Sequence, residues 1–299
     1  MHDIETALIN ASRRLQDISD SPRMDAEVML SLALEKDRSH LRAWPEKQLK
    51  PEQSRHFDAL LQQRLDGVPV AYITGLREFW SRDFEVTPDV LIPRPDTELL
   101  VELALDLIPA DKPYKLIDLG TGSGIIAITL AAERPNAEVI AADINPKALA
   151  IAYRNARKHR IKNIRFCESN WLDNIPETDF HLIISNPPYI AAEDPHLSRG
   201  DIRFEPKSAL IAERHGLSDI EIIAETARNH LRQNGHLLVE HGYDQQQQVY
   251  LAFKNRSFRA IKNYSDLSGL PRVTYGQWQP LQLNFPSTIT PLISEPRCQ

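Results

Sequence analysis

The sequence predicts an α/β protein: a doubly wound, Rossmann-like domain behind a small N-terminal helical bundle, joined by a β-hairpin linker. Three observations carry this expectation. Residues 1–75 place apolar side chains at helical spacing and contain no β-rich run. From about residue 93, short apolar runs alternate with helical patterns, as in a parallel sheet covered by helices on both faces. The run Leu116-Ile117-Asp118-Leu119 leads directly into Gly120-Thr121-Gly122-Ser123-Gly124, a glycine-rich turn between a strand and a helix.

In the first segment Ile4, Leu8, Ala11 and Leu15 recur at helical spacing. Ser21 ahead of Pro22 puts a cap residue before a first-turn proline. Ala26, Met29, Leu30, Leu32 and Leu34 then form a broad apolar face. Pro51-Glu52 opens a third helix with Phe57, Leu60, Leu61 and Leu65 inward, and Gly67 ends it. This bundle is either a structural appendage or a substrate-recognition module. Residues 76–92 read as the linker, because Glu78-Phe79-Trp80 and Phe84-Glu85-Val86 flank Ser81-Arg82-Asp83 as in a hairpin.

The α/β domain is expected over 93–278. Strand Lys115–Leu119 is followed by helix Ile125–Glu133, with Pro135 as a stop. Strand Glu138–Asp143 leads to helix Pro146–His159, capped by Asn145. Strands Asn163–Glu168 and Phe180–Ser185 follow, then helix Ser218–Leu231 ending at Asn234-Gly235. Strand His236–Glu240 precedes a Gln-rich helix, Asp244–Lys254, and a closing hairpin of Phe258–Tyr264 with Arg272–Trp278. Residues 279–299 contain four prolines and no periodicity, so they read as a loosely held tail.

Composition sets outer bounds. A net charge of −6 argues against a protein that tracks nucleic-acid phosphates. Two distant cysteines, Cys167 and Cys298, argue against a disulfide framework and for a reducing cytoplasm. The start Met1-His2-Asp3-Ile4-Glu5 is acidic where a signal peptide would be basic, and the longest apolar runs fall far short of a membrane span. The histidines and cysteines show no metal-ligand spacing, so no metal is expected. Cys167 reads as a core thiol and His241 as a strand-end residue.

The glycine loop points to a ligand. It lets backbone approach closely, and the helix N-terminus beyond it favours a carboxylate. The spacing is G-x-G-x-G, with Ile125 where a dinucleotide fingerprint has its third glycine. That suits S-adenosylmethionine, which has an amino-acid end and no pyrophosphate. Asp143 ends the second strand, where a carboxylate can accept both ribose hydroxyls. Trp171 is placed either as a wall against the adenine or as a plain core residue, and Asp118 fixes either the loop or the cofactor's amino group.

Asn186-Pro187-Pro188-Tyr189 follows the apolar run Phe180–Ser185, at the strand edge where open α/β sheets bind ligands. An amide nitrogen is a poor nucleophile because its lone pair is delocalised. Two acceptors taking both of its hydrogens would aim the lone pair and stabilise the charge that develops. Asn186 offers its side-chain oxygen, Pro187 offers only a carbonyl, and Tyr189 can form an apolar wall. Two acceptors select an NH₂ group and reject a carboxylate.

These residues resemble the bacterial glutamine-N5 methyltransferases that modify peptide chain release factors. The resemblance covers about residues 3–278. It rests on Gly75–Trp80, Ile92–Glu98 (Ile-Pro-Arg-Pro-Asp-Thr-Glu), the glycine loop, Asn186–Tyr189 and Arg203–Pro206 (Arg-Phe-Glu-Pro). The loop is generic to class I methyltransferases and Asn-Pro-Pro-Tyr is shared with adenine amino-methyltransferases, while Ile92–Glu98 and Arg203–Pro206 are more specific. The resemblance implies a class I methyltransferase domain and methylation of the glutamine in the Gly-Gly-Gln loop of class 1 release factors. It implies that Asp118, Gly120, Thr121, Gly122, Ser123, Gly124, Asp143, Trp171 and Asn186 form the cofactor site. Asn186, Pro187, Pro188 and Tyr189 would hold the glutamine, with Asn186 and Pro187 as the catalytic pair.

A family that methylates a ribosomal-protein glutamine shares the loop and the tetrapeptide but differs at Ile92–Glu98. Amino-methylation of an extruded base would use the same acceptors. A cofactor-binding protein without activity is the third reading, and the intact Asn186 argues against it. The expected enzyme is a cytoplasmic monomer with a protein substrate and no membrane or direct nucleic-acid partner.

Overall fold

The computed structural model describes residues 2–279. The tail expected over 279–299 therefore lies outside the described residues except for Gln279.

Five helices open the chain: α1 (Ile4–Arg14), α2 (Pro22–Leu34), α3 (Arg38–Ala43), α4 (Pro51–Leu65) and α5 (Val70–Thr74). Their shared core gathers Ile4, Leu8, Leu15, Met29, Leu30, Leu41, Phe57 and Leu61, all essentially enclosed. Asp3 caps α1 through its carboxylate and the Thr6 N–H at 2.8 Å. The sequence reading missed α3 and α5, which are too short to show a period. Ser21 precedes α2 as expected, but its side chain makes no capping bond. Leu32, placed inward by its spacing, is exposed.

β1 (Leu76–Phe79) and β2 (Arg82–Glu85) form the expected hairpin. Trp80 and Ser81 at its tip both adopt positive φ, 52° and 57°, the geometry of a two-residue I′ turn made without glycine or asparagine. Carboxylates hold it in place: Ser81 N donates to Glu78 at 2.6 Å and Trp80 N to Glu98 at 3.2 Å. Phe79 and Phe84 stack edge-on, 6.3 Å apart, inside the core of the α/β portion, so the hairpin is anchored there.

The remaining elements are α6 (Thr97–Leu107), β3 (Lys115–Leu119), α7 (Ile125–Glu133), β4 (Glu138–Asp143), α8 (Pro146–Lys158), β5 (Ile164–Glu168) and β6 (Phe180–Ser185). After three short 3₁₀ turns between 195 and 209 come α9 (Glu213–Gly216), α10 (Ser218–His230), β7 (Leu231–Glu240), α11 (Gln246–Asn255), β8 (Phe258–Ser265) and β9 (Pro271–Trp278). The seven strands order as β5-β4-β3-β6-β7-β9-β8, parallel except at β9 and β8. The chain leaves β3 in one direction for β4 and β5 and in the other for β6 and β7. The switch point lies between β3 and β6, where such sheets bind ligands. β3, β4 and β6 are buried almost throughout, which explains their unbroken apolar sequence.

Four differences from the sequence reading have physical causes. Helix α6 follows the prolines at 93 and 95 and was not anticipated. Helix α10 stops at His230, and β7 begins at Leu231 instead of His236. The register slips between the Phe180–Leu231 and Leu182–His236 pairs, so Asn234-Gly235 lies in a strand irregularity and not at a helix end. Cys167 is only partly buried, at the edge strand β5.

Candidate active site

The glycine loop turns tightly at the end of β3. Gly120, Gly122 and Gly124 take φ of 73°, 55° and 86°, the region that favours glycine. The three have different neighbours. A Cβ on Gly120 would meet the Trp171 ring at 3.4 Å, and one on Gly122 would meet nothing. A Cβ on Gly124 would fall 2.7 Å from Ile128 and 3.1 Å from the Ala152 Cβ. Gly124 therefore serves the close packing of α7 against α8.

Asp118 lies under the loop, 1% exposed. Its Oδ2 accepts from the Thr121 hydroxyl at 2.6 Å and from Ala127 N at 3.3 Å, while its buried Oδ1 has no partner. Burial pushes this carboxyl up to about 7, against those two bonds. Asp143 ends β4, and its carboxylate accepts from Gly122 N and Asn145 N, both at 2.8 Å. Burial raises it too, with those backbone donors opposing.

A cleft runs along these strand ends. Its walls include Gly120, Gly122, Asp143, Asn170, Trp171 and Asn186. The Trp171 backbone is left-handed, φ 49°, and its side chain faces Asp219. Glycines without Cβ atoms, an aromatic wall and a carboxylate at a strand end fit the loop, adenine and ribose of S-adenosylmethionine.

A second cleft adjoins the first and is lined by Arg94, Pro187, Tyr189, Ile190, Ile202 and Leu210. Leu91, Asn186 and Ala209 line both clefts. Asn186 Nδ2 donates to Thr97 Oγ1 at 3.2 Å, and among the described residues nothing engages its Oδ1. The turn is held from behind. Gln245 Nε2 donates to the Tyr189 carbonyl at 2.9 Å, and a Cβ on Gly216 would lie 2.0 Å from that same oxygen. Arg94 pairs with Glu205, whose Oε2 also accepts from Ile92 N at 3.0 Å. The two segments that make the sequence distinctive, Ile92–Glu98 and Arg203–Pro206, therefore meet beside this cleft, with Arg94 lining it.

Comparison with known proteins agrees with this geometry. The chain matches the PrmC N-terminal domain over residues 6–75 and the methyltransferase small domain over 96–200. It is 46% identical over 278 residues to the release factor glutamine methyltransferase of Salmonella typhimurium, covering 93% of this chain and 100% of the relative. The Coxiella burnetii enzyme of the same name is 44% identical over 273 residues, 91% of this chain and 98% of the relative. This chain belongs to the release factor glutamine methyltransferase family.

Solved structures show the same fold. A Pyrococcus furiosus methyltransferase aligns with a TM-score of 0.51 at 15% identity, covering 72% of this chain and 96% of the other. The Thermus thermophilus 16S rRNA N2 G1207 methyltransferase, in complex with AdoMet and guanosine, aligns with a TM-score of 0.52 at 17% identity, covering 68% and 49%. This family member is a methyltransferase that uses S-adenosylmethionine.

The predicted residues divide by position. Gly120, Gly122, Asp143, Trp171, Asn186 and Pro188 line the first cleft, and Asn186, Pro187 and Tyr189 line the second. Asp118, Thr121 and Ser123 are buried behind the loop, and Gly124 faces α8. Their geometry shapes the loop. Sequence reading missed Thr97, Glu240 and Gln245. Glu240 carried a usable signal: like Asp143, it is a carboxylate closing an apolar strand of the same sheet edge.

Proposed function

We propose that this enzyme methylates the side-chain nitrogen of a glutamine presented by a class 1 peptide chain release factor, the glutamine of its Gly-Gly-Gln loop. The observation that carries the reading is the place of Asn186. It stands where the two clefts join, with its NH₂ committed to Thr97 and its oxygen unengaged. The name shared by relatives 44–46% identical across nearly the whole chain supports the release factor as substrate.

Bound S-adenosylmethionine supplies an electrophilic methyl on a sulfonium. The chain's residues do the rest. The Gly120–Gly122 backbone and Trp171 seat the cofactor, and Asp143 accepts from its ribose hydroxyls. Asn186 Oδ1 and the Pro187 carbonyl accept the two amide hydrogens, so the nitrogen lone pair points toward the cofactor cleft. Tyr189 excludes water beside the acceptor. The same two acceptors stabilise positive charge on nitrogen as the methyl arrives, and the extra proton then leaves to water.

In this reading residues 1–75 form a docking module, residues 76–92 a linker and 93–278 the catalytic domain. The module supplies recognition that a tripeptide loop cannot. Among the described residues no helix is long and apolar enough to cross a membrane. The net charge of −6 supports a protein acceptor over a nucleic acid, and we place the enzyme in the cytoplasm as a monomer.

The test is transfer of labelled methyl from S-adenosylmethionine to purified release factor, with a Gln→Glu factor and Asn186→Ala enzyme as controls. Label on the wild-type factor alone is expected. Efficient labelling of the glutamate form would overturn the two-acceptor account.

A further inference from the structure

The amide recognition described above works only if Asn186 points its oxygen at the acceptor. The two ends of a carboxamide are nearly the same size, so packing alone cannot choose between them. A flipped Asn186 would set its N–H groups against those of the substrate. Something must fix the orientation.

We infer that Glu240 and Thr97 form a buried positioning chain that locks the Asn186 amide with its oxygen toward the acceptor cleft, and so sets the selection of an amide acceptor; this deepens the glutamine reading and rests on it. Thr97 opens α6 and Glu240 ends β7, and each is 1% exposed. The Glu240 carboxyl faces both the Thr97 hydroxyl and the Asn186 amide, with its Oε2 buried and unpartnered among the described residues, and Thr97 accepts from Asn186 Nδ2 at 3.2 Å. An ionised carboxylate can only accept. It therefore takes the single hydroxyl proton of Thr97, leaving that oxygen only lone pairs for Asn186. Asn186 must then turn its NH₂ toward Thr97, which leaves Oδ1 for the cleft. The direction of the chain is set at Glu240.

The surroundings make that end sensitive to pH. Burial pushes the Glu240 carboxyl up to about 7. Thr97, Arg272 and Asn186 oppose the shift, and Asp96 adds to it. Arg272, on β9, is shared between Asp96 at 3.1 Å and Asp266 at 2.9 Å, so only part of its charge serves Glu240. The Tyr189 phenol also faces this carboxyl. His241 turns away, bonding Thr274 and the Gly242 carbonyl. When Glu240 gains a proton it can donate to Thr97, whose hydroxyl is then free to donate to Asn186 and stabilise the flipped amide. The productive orientation belongs to the ionised form, so turnover should rise with pH through about 7.

The experiment uses full-length enzyme and intact release factor, measuring kcat and KM between pH 6 and 8 and S-adenosylmethionine affinity by calorimetry. Wild-type kcat should rise about tenfold over that range, as for one group ionising near its midpoint. Glu240→Gln should lower kcat at pH 8 by about tenfold or more and flatten the profile, with cofactor affinity within about twofold of wild type. Thr97→Val should behave like Glu240→Gln, and Thr97→Ser, which keeps the hydroxyl, should restore most of the activity. Asp118, the other carboxyl near 7, lies under the glycine loop, and Glu240→Gln separates its contribution. A flat wild-type profile would overturn the inference without any variant. So would Glu240→Gln or Thr97→Val with wild-type kcat and slope. A wild-type enzyme that binds cofactor but never labels the factor would overturn the glutamine reading, and this inference with it.

Discussion

Gln245 donates its side-chain amide to the backbone carbonyl of Tyr189 at 2.9 Å, so the start of the last helix holds the Asn186–Tyr189 turn from 56 residues away. The same amide reaches the His215 carbonyl at 3.1 Å, and its oxygen accepts from Gly242 N at 2.9 Å. Gln245→Leu would remove a partner from three backbone groups, of which the buried Gly242 N–H would cost about 1–3 kcal/mol before relaxation and the part-buried carbonyls less. The expected result is a lower thermal midpoint and at least a roughly tenfold fall in kcat, with cofactor affinity little changed. An unaltered kcat would show that the turn holds itself.

Gly216 lies against the same carbonyl, beside the Gln245 amide. At φ +81° and with a Cβ position 2.0 Å from Tyr189 O, it cannot accept a side chain unless the turn moves. Gly216→Ala should cost more than the ~1 kcal/mol typical of a left-handed alanine and should abolish transfer. Thermal melting and single-turnover transfer would check both.

The cofactor side has its own signature. Trp171→Ala removes the aromatic wall and Asp143→Ala removes the strand-end carboxylate. Each should weaken S-adenosylmethionine binding by about 1–3 kcal/mol, roughly 5- to 150-fold, as read by calorimetry. Asn186→Ala should leave that affinity within a few-fold while losing transfer.

Stability should depend on pH through Asp118. Its folded pKa, about 7, lies above the ordinary 3.8, so the folded state holds the proton more tightly. The stabilisation is complete below the unfolded value and is lost as pH rises through about 7, worth roughly 4 kcal/mol as an upper bound. The denaturation midpoint of wild type should fall over that window. Asp118→Asn should reduce the fall, the remainder coming from Glu240, which shifts the same way.

Arg64 joins the bundle to the segment after the Asn186–Tyr189 turn. It is buried, and it bonds Asp25 within the bundle at 2.9 Å and Asp201 beyond Tyr189 at 2.8 Å. Losing the arginine leaves Asp25 buried without its partner, so Arg64→Ala should cost about 3–5 kcal/mol. Asp201 is 44% exposed, and Asp201→Ala should cost at most about 1 kcal/mol. Equal losses in chemical denaturation would contradict this division.

Much of the molecule was legible in the sequence. Strands β3, β4 and β6 and helix α7 fall where the apolar runs place them, because strands buried on both faces carry a signal that neighbours cannot mask. The loop and the tetrapeptide were visible for a related reason: glycine at positive φ and paired prolines are local chemical requirements. Helix α6 was hidden by the prolines before it, and α3 and α5 by their length. Thr97 and Gln245 were hidden because their partners lie far away in the chain, whereas Glu240 carried the signal of a carboxylate closing an apolar strand.

The alternation of strands and helices, the glycine turn and the Asn186–Tyr189 turn can be read from the chain directly, since each depends on residues close in sequence. Which of those residues line the clefts depends on how distant elements pack. Asp118 and Gly124 belong to the same motif as Gly122, yet one lies beneath the loop and the other packs on α8. That packing also decided what orients Asn186, because Thr97 comes from a helix 89 residues earlier and Glu240 from the next strand of the sheet. Side-chain direction in a buried site is fixed by which elements pack together, and that depends on the fold as a whole.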